Sequence, residues 1–91
     1  MTPTIADGLA GCTDAAAYAR LRALVDHVHL VPESALAPAI RATYEMTGIV
    51  AEGAGVVGIA AVLGGVMDIS GPTVVVVSGG NIDSAVLARI L

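Results

Sequence analysis

Two glycine-rich stretches hold the residues best suited to chemistry. In "EGAGVVGIAA", Gly53, Gly55 and Gly58 spell G-x-G-x-x-G after an apolar "GIVA" and ahead of a helical pattern, the layout of a dinucleotide fingerprint. Such a site also needs an acid ~20 residues on, at the end of the next strand, to hold a ribose. Ser78 stands there instead. Glu52 directly precedes the first glycine, where its charge would repel a pyrophosphate at the helix N-terminus. These glycines therefore read as positions that let a helix lie flat on a sheet. The second stretch, "VVVVSGGN", closes an apolar run with Ser78, Gly79, Gly80 and Asn81. Ligands of open α/β sheets bind outside the carboxyl ends of parallel strands. These four residues could thus cradle an anion at a helix N-terminus, or make a tight strand-to-helix turn capped by a Ser or Asn.

The remaining candidates are thinner. His27 and His29 lie two apart on an expected strand and share a face, but no third ligand of suitable spacing accompanies them. Asp7 and Glu52 could form an acid–base pair if the fold joins them. Asp26, Glu33 and Glu45 read as solvated carboxylates. Cys12 is the single cysteine, so an internal disulfide is excluded and a small inert thiol is expected.

The elements that must position these groups come from an unusual composition. The 91 residues are 56% hydrophobic with two Tyr and no Phe or Trp, so the core must be built from Ala, Val, Leu and Ile. Eight acids face four arginines, no lysine is present, and the net charge is −4. A nucleic-acid partner, which needs a basic patch, is not expected. The longest uncharged run, residues 53–67, is 15 residues with five glycines. That is short of the ~20 needed to span a bilayer, so no membrane partner is expected either. No basic leader precedes an apolar stretch at the N-terminus, and a cytoplasmic location is the expectation.

Periodicity sets out the order of elements. Thr13 or Asp14 can cap a helix through "AAAYARLRALVD", with Ala17, Leu21, Leu24 and Val25 on one face. "HVHLV", residues 27–31, reads as a strand ending at Pro32. Residues 33–47 read as a helix along Leu36, Ile40 and Tyr44, stopped by Gly48, with Pro38 implying a late start or a kink. Another helix runs through residues 53–67, a strand through 73–77 and a last helix through 82–91. The class is α/β, with parallel strands buried between helices on both faces. Two strands alone make a marginal sheet whose edges would template others. The chain therefore reads as one incomplete piece of a larger α/β domain or of a two-chain assembly.

Four motifs carry a resemblance that extends from Pro3 to Leu91: "TIADGLAG" at 4–11, "LVDHVHLVPE" at 24–33, "VAEGAGVVGIAAVL" at 50–63 and "VVVVSGGNID" at 74–83. In this order and spacing they resemble the C-terminal part of the catalytic domain of the pyridoxal-phosphate-dependent threonine/serine dehydratase and serine racemase family, which has the tryptophan synthase beta-like fold type II. The resemblance implies pyridoxal 5'-phosphate as cofactor. It implies that Ser78 hydrogen-bonds the pyridine nitrogen, with Gly79, Gly80 and Asn81 completing that motif. Glu52 with Gly53, Ala54 and Gly55 would line the cofactor pocket. Asp7, Gly8 and Leu9 would form a loop whose backbone approaches cofactor and substrate, with Gly11 towards the substrate. A neutral hydroxyl at Ser78 would leave the ring nitrogen unprotonated and the electron sink shallow. That suits β-elimination of a small hydroxy-amino acid to a 2-oxo acid and ammonia.

The departures bear equally on function. The family holds its cofactor through a lysine near the start of the domain, and this chain has none. Its substrate loop and phosphate-gripping glycines also lie upstream of the matched motifs. By this reading no catalytic residue lies in the chain. The partner expected is a complementary N-terminal segment or chain that carries the lysine, within a probable oligomer. A non-catalytic truncated module, a racemase of the same family and a small dinucleotide-binding module are the alternatives.

Overall fold

The computed structural model describes residues 3–91. After a 3-10 turn at Asp7–Leu9 come α1 (Ala15–Leu24), a 3-10 turn at Glu33–Ala35 leading into α2 (Leu36–Thr47), and a 3-10 turn at Ala54–Val56 leading into α3 (Val57–Leu63). The last element is α4 (Ser84–Ile90). Each expected helix is present, most with shorter bounds than the periodicity suggests.

Local chemistry explains those bounds. Asp14 caps α1 by accepting from the Ala17 N–H at 2.7 Å. α2 starts at Leu36 rather than at residue 33, the late start that Pro38 implied, and Pro38 sits in its first turn, where its missing N–H would have had no partner. Gly48 ends α2 in the left-handed conformation, φ +75°, with its N–H bonded back to the Tyr44 carbonyl. The helix expected over 53–67 shrinks to seven residues because Gly64 and Gly65 turn the chain: Gly65 has φ +72° and Val66 N–H reaches back to the Ala61 carbonyl at 2.9 Å.

The core is α2 laid on α3, closed by α4 and the N-terminal segment. Leu36, Ala39 and Ile40 of α2 meet Val56 and Ala60, with Ala6, Ala51 and Ile90 completing the cluster. The buried stripe of α2 continues through Thr43 rather than the expected Tyr44, which is exposed. Thr43 is tolerated there because its hydroxyl donates to the Ala39 carbonyl at 2.8 Å. Ile40 and Val56 are the largest fully buried side chains. Burying each is worth roughly 1.5–3 kcal/mol.

Two sequence expectations have no counterpart among the described residues. The face Ala17–Leu21–Leu24–Val25 finds nothing to pack on: α1 has no buried residue and touches none of the other helices. Residues 27–31 and 73–77 form no strand ladder, with each other or with any other described segment. Burial expected of the valine run occurs only at Val75, beneath Gly58; Val74 is 92% exposed and Val76 78%. A parallel strand is buried by neighbours on its edges and helices on its faces, and residues 3–91 supply neither there. The shape agrees, since the radius of gyration is 13.9 Å where a compact 91-residue domain would have ~12 Å.

Candidate functional site

The two glycine stretches meet. Glu52 N–H donates to the Gly79 carbonyl and Ser78 N–H to the Gly55 carbonyl, both at 3.2 Å, so residues 52–55 and 78–79 run backbone against backbone. Such an approach is possible only without side chains. A Cβ on Gly55 would fall on the Ser78 carbonyl oxygen, and one on Gly80 would lie 2.9 Å from the Val50 carbonyl oxygen. Gly79 has φ +69°, and the Glu52 carboxylate occupies the place its Cβ would take.

The N-terminal segment joins the same cluster. Gly53 presses on the Ile5 carbonyl, and Gly8 lies with its missing Cβ 3.0 Å from Ala54 Cβ and 3.9 Å from Glu52 Oε2. Segments more than 40 residues apart in sequence thus converge on the half-buried Glu52. Gly8, Glu52, Gly53, Ser78, Gly79 and Gly80 are brought together, with Asn81 on the exposed chain leading to α4. Of the suggested Asp7–Glu52 pair, it is Gly8 rather than Asp7 that abuts the Glu52 carboxylate.

This packing also accounts for the G-x-G-x-x-G pattern. Gly53 faces the Ile5 carbonyl, Gly55 the Ser78 carbonyl and Gly58 the Val75 side chain. The three glycines accommodate the protein's own chain, as the packing reading holds, and leave no backbone approach for a pyrophosphate. The anion cradle at "SGGN" meets a similar fate. Neither Ser78 nor Asn81 caps α4: Asp83 does, accepting from Ala85 N–H at 2.8 Å and Val86 N–H at 3.4 Å, so those helix-terminal donors are already used. An Asp immediately before a helical run was the legible signal for this cap.

A site-supporting contact had no sequence signal. Glu33, expected to be a free surface acid, accepts from Thr4 Oγ1 at 2.6 Å and Ile5 N–H at 2.7 Å. The Thr4 hydroxyl, and secondarily the Ile5 amide, hold its carboxyl below the ordinary range. The partners are 28 and 29 residues away in sequence. This tether fixes the segment whose carbonyl meets Gly53. His27 and His29 stack loosely, ring centroids 6.1 Å apart, and Cys12 is exposed. Among the described residues no group of three His, Cys, Asp or Glu could hold a metal, and no helix is long and apolar enough to cross a membrane.

Chemically, the cluster offers one wall: an exposed neutral hydroxyl at Ser78 and a half-buried carboxylate at Glu52, with the Cβ-free faces of Gly79 and Gly80 taken up by Glu52 and the Val50 carbonyl. Such a wall can hydrogen-bond a ring nitrogen. It has no amine to bind a carbonyl covalently, because the chain lacks lysine.

Comparison with known proteins points the same way. The chain is 48% identical over 85 residues to L-threonine ammonia-lyase of Geobacter sulfurreducens, covering 91% of this chain and 21% of that protein. It is 42% identical over 91 residues to L-threonine ammonia-lyase of Thermotoga maritima, covering 98% of this chain and 22% of the relative. A serine racemase of Oryza sativa subsp. indica is 35% identical over 92 residues, with 94% of this chain and 27% of that protein covered. The chain therefore spans only about a fifth to a quarter of the relatives it matches. No protein-family model matches it, and no solved structure matches it significantly. With identity of this level along nearly all its length, the chain belongs to the threonine ammonia-lyase and serine racemase family.

Proposed function

We propose that these residues are the C-terminal portion of the catalytic domain of a pyridoxal-phosphate-dependent hydroxy-amino-acid dehydratase, which converts L-threonine or L-serine to a 2-oxo acid and ammonia. The observation that carries this is the convergence of Gly8, Glu52, Gly53 and the Ser78–Gly80 turn into one cluster. The residues present fit the ring end of the cofactor. Ser78 is exposed and neutral, and the close contacts of Gly55 and Gly79 fix the backbone that carries it. When bound, pyridoxal phosphate supplies carbanion stabilisation. The chain's own part is to orient it. Ser78 would hydrogen-bond the pyridine nitrogen through its hydroxyl, Gly79, Gly80 and Asn81 would shape the turn, and Glu52, Gly53 and Gly8 would line the pocket. The lysine and the phosphate site come from a complementary segment or chain.

On the same reading the fold is α/β. Residues 27–31 and 73–77 join a parallel sheet with strands of that complementary part, which would cover the exposed valines, and the assembled protein is oligomeric. Higher identity to the two ammonia-lyases, 48% and 42%, than to the racemase, 35%, favours elimination over racemisation.

The test is reconstitution. The chain is combined with a lysine-bearing N-terminal portion of the domain, and cofactor absorbance and 2-oxo acid release from L-threonine are followed. A Ser78→Ala variant should retain cofactor but lose activity by about 10–100-fold, the range of one positioned hydrogen bond to a charged or reacting group. Absence of any cofactor signal from a folded complex, or full activity in S78A, overturns the assignment.

A further inference from the structure

A cavity lies away from the Ser78 cluster, in a cleft between α2 and α4. It encloses about 490 Å³ and includes neither Glu52 nor any residue of the 78–81 turn. That volume falls in the range of about 300–1,000 Å³ usual for small-molecule sites, which pair an apolar lining with a few convergent polar groups. Ala42, Val86 and Ile90 give the apolar side; Arg41, Arg89 and Glu45 are its only charged groups. Arg41 is held in place, because its Nε and Nη2 donate to the Ile90 carbonyl at 2.9 and 2.5 Å. Its remaining N–H groups are available, since a guanidinium carries five. Glu45 lies one helical turn from Arg41 along α2, and two arginines against one carboxylate leave the lining with a single net positive charge. The cleft is therefore an aliphatic pocket with a net positive rim.

We propose that this cleft binds a small amphipathic carboxylate, with the anion on Arg89 and Arg41 and a short aliphatic tail on Ala42, Val86 and Ile90. Arginine suits the head group, since its planar fork matches the two oxygens of a carboxylate. The proposal stands independently of the dehydratase assignment. It links to the Ser78 cluster only through Ile5, which borders the cleft while its carbonyl rests on Gly53.

The experiment is calorimetric titration of the full polypeptide with pentanoate, pentylammonium and pentan-1-ol, which share a tail and differ in head group. Pentanoate should saturate one site with a millimolar dissociation constant, about what a ligand of so few atoms can reach. Pentylammonium should bind at least about tenfold more weakly. Arg89 is exposed, so Arg89→Gln should leave the fold intact by circular dichroism and weaken pentanoate about tenfold while leaving pentan-1-ol unchanged. Ala42→Leu, which fills the cleft, should abolish binding of all three. Failure of pentanoate to saturate the folded protein, equal binding of the cationic and anionic probes, or unaltered binding in R89Q overturns the proposal.

Discussion

The glycine seam and the α1–valine region carry equally strong apolar patterns and meet opposite fates. Along the seam, residues 50–58 find partners in residues 5–8 and 75–80, and the packing is so tight that Gly53, Gly55 and Gly80 meet backbone, and Gly58 and Gly79 side chains, where a Cβ would stand. In α1 and the run 73–77, the side chains patterned for burial stand in solvent: Leu24 is 81% exposed and Val74 92%. The difference is one of partners rather than of propensity. The seam's partners lie within residues 3–91, whereas the described residues cover neither α1 nor Val74 and Val76.

The contrast can be broken at the seam first. Gly55→Ala places a methyl on the Ser78 carbonyl oxygen, so the two segments must separate. A loss of about 3 kcal/mol or more in urea unfolding is expected, in the range of severe backbone strain. Gly11→Ala, where nothing lies within 4 Å, should stay within about 0.5 kcal/mol. Equal effects at the two glycines would remove the argument that the seam is built on contact.

Next in size is the core against the uncovered helix. Ile40→Ala should cost about 2–5 kcal/mol, as cavity-forming substitutions do, because Ile40 is fully buried. Leu24→Ala should cost less than about 0.5 kcal/mol in these residues alone. If a complementary segment covers α1, Leu24→Ala becomes costly once that segment is added, and the rise in its cost measures the covering.

The smallest effect expected is that of the Glu33 tether, and it depends on pH. Its carboxyl is held below the ordinary value in the folded chain, so the tether's contribution is complete above that value. It is lost as pH falls through the lowered folded value. Amide exchange at Ile5, whose N–H Glu33 accepts, should accelerate on acidification beyond the intrinsic change, and Glu33→Gln should abolish that excess.

Much of this was legible along the chain. Asp14 and Gly48 act within one turn of themselves, so capping and left-handed glycine rules reach them without a fold, whereas the break after residue 63 was passed over by a helix read through residue 67. The Ser78 turn and the Glu52 loop were legible as motifs for the same reason. Their meeting was not, nor was the Glu33–Thr4 bond, because contacts between residues some 25–45 apart leave no local signature. Tyr44 was misplaced in favour of Thr43 because a hydroxyl that bonds its own helix can be buried as cheaply as an apolar group.

The amino-acid sequence by itself determined the order of the helices, the family likeness, and that no lysine is present to hold a cofactor. All three follow from residue identity and short-range pattern. Only the tertiary structure decided that Gly53, Gly55 and Gly58 serve the chain's own backbone, that Glu52 lies against Gly79, and that the valine run stands uncovered. Those outcomes depend on which distant surfaces come within van der Waals reach, and that is a property of the packed chain rather than of any stretch of it.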